Sequence, residues 1–482
     1  LEVRKQIPTS KFQSLNTPTP IFQHSMKLCL LLLSLLLSLP VLSLEAEYYR
    51  FRVYLKDKGD GGFSPDNATA YLSPKAIERR ERQNIAITHS DFPISPAYLD
   101  SLKKTGGCII TQSKWAKTVV VENSDSTVAD RLTRLPMVDS VKWVWKGKHP
   151  DLTCHQDTTR INTTDTRQRN YYGYAEKQIQ MLKGDKLHQA GFRGKGMTIA
   201  VIDAGFENVN RLNAFKQASI IGTQNIAYPG SSVFIGDNHG TKVLSCLAAN
   251  LPNRFVGTAP DADFWLIKSE ITGSEYPIEE DFWAAAIEFA DSVGVDVVTS
   301  SLGYFYYDIP SMSYSHQQLD GKTALVSRVA SMAAQKGILL FSSAGNEGNT
   351  YWQKITVPAD ASGILTVGSV TAKRKRSDFS SLGYTSDGRV KPDVAVMGSD
   401  CCILEPDGAI STASGTSFST PVLAGLGACL WQSLPQLTAQ EVQLLIRKYA
   451  SQYKHPNNEL GYGIPNMYKS YKKGLKDVSR RK

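Results

Sequence analysis

The seven cysteines of this 482-residue chain include no C-x-x-C pair, so metal binding by cysteine is not expected. Cys246 and Cys429 fall on apolar faces of predicted helices and read as core residues. The spacing of the others specifies no disulfide. Long apolar runs are also missing. The block at 28–39 is too short to span a bilayer comfortably. The net charge is +9, but no basic helix face or interleaving aromatics accompany it. Its densest run, Lys373-Arg374-Lys375-Arg376, is followed by Ser377-Asp378 and reads as a solvated loop, so no nucleic acid is expected as a partner. No internal repeat is present. No glycine-rich loop follows a strand either, because Gly194 and Gly196 precede the strand at 197–202. A dinucleotide-binding oxidoreductase is excluded on that ground.

What remains is an ordinary globular composition, 41% hydrophobic and 21% charged, with room for two or three domains. Residues 1–25 are polar, rich in Pro and Thr, and read as an over-extended start. Met26-Lys27, the apolar block, and Val41 and Ser43 at the −3 and −1 positions make 26–43 a secretory signal. The protein is therefore expected to be exported, periplasmic or extracellular, with no stable membrane span after signal removal. Residues 44–145 alternate short strands and helices and form a small α+β domain with no catalytic cluster. Residues 146–178 are polar and aperiodic, a linker open to nicking.

From 179 to 470 the texture changes. Strands at 197–202, 264–268, 295–300 and 338–343 are apolar without alternation, and helices at 241–249, 279–293 and 323–336 lie between them. Repeated βα units of this kind predict an α/β domain whose mostly parallel sheet is covered on both faces, with its site at the carboxyl ends of the strands. Thr438 and Glu441 form a capping box for a closing helix, and 471–482 read as a frayed basic tail.

Three residues fall where these strands end or helices begin: Asp203, His239 and Ser417. Each has a bland reading as a turn or cap residue. Together they supply a nucleophile, a base and a group to orient the base, in the chain order Asp, His, Ser. The blocks Val201-Ile202-Asp203-Ala204-Gly205, His239-Gly240-Thr241 and Gly415-Thr416-Ser417-Phe418-Ser419-Thr420-Pro421 resemble the subtilisin-like serine peptidases, the subtilases. Ser301-Leu302-Gly303, Ala344-Gly345-Asn346-Glu347-Gly348, and Phe379-Ser380-Ser381 with 387–393 extend the resemblance over about 178–466.

The resemblance implies a three-layer subtilisin-like fold and a serine endopeptidase that acts through an acyl-enzyme. It implies that Asp203 orients His239, that His239 is general base and then acid, and that Ser417 attacks. Asn346 and the Ser417 N–H would stabilise the oxyanion. Ser301, Leu302 and Gly303, with Ala344 and Gly345, would bind the substrate. The N-terminal domain occupies the position of an inhibitory, folding-assisting propeptide, removed near the 146–178 linker. No cofactor is required for the chemistry. The segment 250–255 is short and poor in carboxylates, so the structural calcium loop found in many members of the family is not expected here. Lys242 and Tyr384 depart from the family's usual His and Pro, and Tyr304-Phe305-Tyr306-Tyr307 could shape the specificity pocket or pack on the surface. The rival from another class is a catalytically silent binding module on the same fold, which a broken triad or a missing Asn would favour; neither is seen.

Overall fold

The computed structural model describes residues 47–148 and 170–480. The expected signal, the over-extended start and most of the expected linker lie outside the described residues.

The strands foreseen as continuous apolar runs are buried on both faces, as parallel strands between helices must be. The central sheet has seven strands: β5 (Thr198–Asp203), β6 (Ser219–Asn225), β9 (Asp263–Lys268), β10 (Val297–Ser300), β11 (Leu339–Ser343), β12 (Leu365–Val370) and β13 (Val394–Met397). Their order is β13-β12-β11-β10-β5-β9-β6, and every neighbouring pair runs parallel. Successive side chains serve opposite faces. Ile199 and Val201 join one apolar core with Val243, Leu244, Val422 and Leu426, whereas Ala200 and Ile202 join a second with Trp283, Ile287, Val326 and Val329. The first core is closed by helices His239–Ala248 and Thr416–Ser433, the second by Ile278–Ser292 and Leu325–Gln335. This is the three-layer α/β arrangement expected from the sequence.

The register decides where chemistry can sit. Ser300 pairs with Ile202 and with Ser342, so Asp203, Ser301 and Ser343 all emerge at the same carboxyl edge.

Several elements were not foreseen. Strands β12 and β13 are short and fully buried, with no alternation to announce them. A hairpin of Cys401–Leu404 and Ile410–Ala413 precedes the Ser417 helix. The expected frayed tail is instead mostly helix Met467–Ser479. Met467, Ser470, Gly474 and Val478 form a narrow buried stripe on it, and Gly474 lets it approach the side chains of Leu434 and Leu445. The many lysines around that stripe hide it from a reading of composition. The run at 373–376 is an exposed turn, as expected.

The N-terminal residues form an antiparallel sheet, order β2-β3-β1-β4, from β1 (Tyr48–Leu55), β2 (Cys108–Ser113), β3 (Thr118–Asn123) and β4 (Val138–Gly147). One face carries its own small core around Val53, Leu102, Val121 and Leu132. The other face lies on helix Ile278–Ser292, where Val120, Val144 and Trp145 meet Ile278 and Phe282.

Buried charges register the two parts. Arg52 holds Asp281 at 2.6 Å, Arg79 and Arg80 both hold Asp291, and Lys336 reaches Asp91 at 2.7 Å. Burial opposes the Asp291 charge, but the two guanidinium groups keep its carboxyl below the usual range. Burial wins at Asp281, which is pushed up to about 6 despite Arg52. Gly294 closes the helix at φ +85°, and a Cβ there would stand 2.7 Å from the Ala76 nitrogen, so the same glycine ends the helix and seats the N-terminal part. Replacing Asp291 by Ala leaves the buried Arg79 guanidinium without an ion-pair partner among the described residues and Arg80 with Asp91 alone. Urea denaturation of the full chain should show the N-terminal part losing about 3–5 kcal/mol of stability.

Candidate active site

Each candidate residue stands at the end of an element. Asp203 is the last residue of β5 and is fully buried. His239 is the first residue of helix His239–Ala248, two positions earlier than the sequence suggested. The helix start and the strand end touch through glycine: a Cβ on Gly240 would lie 2.4 Å from the Gly205 carbonyl oxygen. That approach sets Asp203 Oδ1 2.7 Å from His239 Nδ1. The Ala204 N–H donates to the same oxygen at 2.8 Å. Asp203 Oδ2 is buried and makes no hydrogen bond among the described residues. With Nδ1 engaged, His239 keeps Nε2 for the cleft it lines. Burial disfavours the charged ring, but the Asp203 carboxylate outweighs it and raises the His239 pKa above its ordinary value, with Asp237 adding to the effect.

Ser417 is the second residue of helix Thr416–Ser433. Pro421 stands four residues on, where its missing N–H leaves the Ser417 carbonyl without its helical donor. The Ser301 hydroxyl fills that vacancy, donating to the carbonyl at 2.8 Å, while the Ser417 hydroxyl donates to the Ser301 carbonyl at 3.3 Å. The two serines are thus clasped together. Among the described residues no hydrogen bond joins Ser417 to His239.

Asn346 is tied to the same helix start. Its Oδ1 accepts from the Thr416 N–H at 2.9 Å and from the Thr416 hydroxyl at 3.0 Å. The side-chain oxygen therefore acts as a cap supplied from another segment, and the amide nitrogen is left unspent. The Ser417 N–H also makes no hydrogen bond among the described residues. Two donors are thus available beside one hydroxyl, at the positive end of a long helix.

His239, Ser417, Asn346, Ser301, Leu302, Gly303 and Gly345 all line one cleft of about 380 Å³. Ala344 does not. It is fully buried, its N–H donates to Val367 and its carbonyl accepts from Thr356, so both backbone groups are spent on holding the segment in place. Lys242 is ion-paired with Glu405 at 3.1 Å. Of the aromatic run, Tyr304 and Tyr307 are buried, Tyr306 is exposed, and Tyr304 and Phe305 line the cleft. The Gly383–Tyr384 peptide is cis. Among the described residues no group of His, Cys, Asp or Glu is arranged to hold a metal ion.

Some contributors escaped the sequence reading. The Ser301 hydroxyl and Thr416 act through contacts between distant segments. Pro421 four residues after Ser417 was a usable signal, because it announces a carbonyl that needs another donor.

Residues 194–463 match the family model for the subtilase family, and 50–161 match that of the peptidase S8 propeptide domain, Bacteroidota. Subtilisin NAT of Bacillus subtilis subsp. natto is 30% identical over 293 residues, which cover 60% of this chain and 69% of that protein. Subtilisin of Bacillus pumilus is 30% identical over 293 residues, covering 60% and 96%. The structure of MycP3 protease from the type VII (ESX-3) secretion system aligns at 20% identity and a TM-score of 0.49, covering 67% of this chain and 98% of that one.

Asp203→Asn leaves only the weaker pull of Asp237 against burial. The His239 ring, followed by NMR, should then titrate below its wild-type value.

Proposed function

The chain belongs to the subtilase family of serine-type endopeptidases, and we propose that it cleaves polypeptides with Ser417 as nucleophile, His239 as general base and acid, and Asp203 as orienting group. The observation that carries this reading is the 2.7 Å contact of Asp203 with His239 Nδ1, in a cleft that His239 shares with Ser417 and Asn346.

Substrate arrival turns the Ser417 hydroxyl from the Ser301 carbonyl towards His239. Its oxygen attacks the scissile carbonyl carbon while its proton passes to Nε2. The Asn346 amide and the Ser417 N–H hold the oxyanion that forms. His239 then gives the proton to the departing amine, the C–N bond breaks, and an ester to Ser417 remains. Water, deprotonated by His239, attacks that ester and frees the acid. Ser301, Leu302 and Gly303 form the segment along which the peptide lies.

The N-terminal domain carries the propeptide role, and we infer that it is removed near 146–178 in an enzyme exported by the signal at 26–43. The chemistry calls for no cofactor. The Ser417 hydroxyl resting on Ser301 is the one feature that suits a silent binding module instead.

Turnover separates the two readings. Ser417→Ala should lower kcat by about a million-fold and Asn346→Ala by about a hundred- to a thousand-fold, magnitudes established on subtilisin. A fluorophosphonate probe should label wild type at Ser417, and wild-type activity in Ser417→Ala would refute the mechanism. The dependence of kcat/KM on pH should rise through a midpoint above 6.5, because the neutral His239 is the base and its pKa is raised. Intact mass of purified wild type and Ser417→Ala tests self-processing: the variant should keep its N-terminal domain, and equal processing of both would exclude self-cleavage.

A further inference from the structure

Part of the cleft lining is acidic. Glu270 follows β9, Glu275 lies in the loop after it, and Glu279 stands in the first turn of helix Ile278–Ser292; all three line the same cleft as Ser417 and Asn346. Their polar contacts cover only part of their acceptor capacity. Glu270 Oε1 accepts from Tyr304 Oη at 2.7 Å and from Ser269 Oγ at 2.9 Å, and its Oε2 accepts from no donor among the described residues. Glu279 Oε1 accepts from the Ile271 N–H at 2.9 Å. Glu279 Oε2 meets no N–H or O–H donor among the described residues on a residue that is 1% exposed, and the Glu275 and Glu279 carboxyls lie in hydrogen-bonding contact with each other.

No lysine or arginine is ion-paired with any of the three among the described residues. Lys268, two residues before Glu270, lies instead over the Tyr228 ring at 5.5 Å. Burial, reinforced by the neighbouring carboxylates, pushes Glu270 up to about 8 and Glu279 up to about 11. Carboxyl groups held up in this way lack a positive charge. They are not arranged to close around a metal ion. An unpaired buried carboxylate oxygen is costly unless a cation or a proton meets it. An extended peptide bound along Ser301–Gly303 would bring side chains to this point.

We propose that Glu270, Glu275 and Glu279 form a subsite for a lysine or arginine side chain of the substrate, an assignment that rests on the reading of this cleft as the peptide-binding site. The cation takes the position that a proton otherwise holds, and its N–H groups meet the free oxygens of Glu270 and Glu279. Tyr304 and Ser269 position Glu270 from behind, and the Ile271 N–H does the same for Glu279.

Mass-spectrometric profiling on a peptide library should show enrichment of Arg and Lys at one substrate position. Two peptides that differ only by Arg or neutral citrulline at that position should then differ in kcat/KM by on the order of ten- to a hundred-fold in wild type. In Glu270→Gln and Glu279→Gln the ratio should fall towards one. Because the ratio is taken within each variant, a general loss of activity does not imitate the effect. Glu270→Lys should turn the preference towards an acidic side chain. Fluorophosphonate labelling of wild type reads the nucleophile separately. Absence of any basic preference in labelled wild type, or an unchanged ratio in both Gln variants, would overturn the subsite. Failure of labelling alone overturns the role of Ser417.

Discussion

The active cleft depends on how the first turn of helix Thr416–Ser433 is satisfied. A helix start leaves N–H groups without acceptors, and Pro421 leaves the Ser417 carbonyl without a donor. Asn346 answers the first need through its side-chain oxygen and Ser301 the second through its hydroxyl. Both come from the carboxyl ends of other parallel strands. Bonds that complete a helix terminus therefore also bring the Ser417 hydroxyl, the unspent donors of Asn346 and Ser417, and the Ser301–Gly303 segment to one place. The amide nitrogen of Asn346 is available because its oxygen is committed.

Helix Ile278–Ser292 plays an equally central part on the opposite face. Its first turn holds three consecutive carboxylates, and the fold sends each in a different direction. Glu279 reaches the cleft, Glu280 accepts from Tyr307 and Tyr314 at 2.7 Å each, and Asp281 is taken by Arg52 of the N-terminal part. The positive end of the helix favours all three charges. One helix terminus thus touches the cleft, the core and the N-terminal part together.

The buried ion pairs between the two parts set register more than they add affinity. Burying Asp291 with Arg79 and Arg80 carries a large desolvation cost, and apolar contact around Val144, Trp145 and Phe282 supplies the attraction. Misplacing the N-terminal sheet by one residue would strand several charges at once.

The sequence by itself determined the parallel sheet, its covering helices and the order of Asp203, His239 and Ser417, because buried strands, capped helices and glycine-bounded turns are local patterns. It could not announce the helix at 467–479, whose narrow apolar stripe is masked by lysines, nor that the backbone of Ala344 bonds to Val367 and Thr356. Tertiary structure alone decided which oxygen of Asn346 and Ser301 meets which group, where the Ser417 hydroxyl rests, and that three glutamates from separate segments share one cleft. Those outcomes depend on register between strands far apart in the chain, and a register is a property of the packed sheet rather than of any one segment.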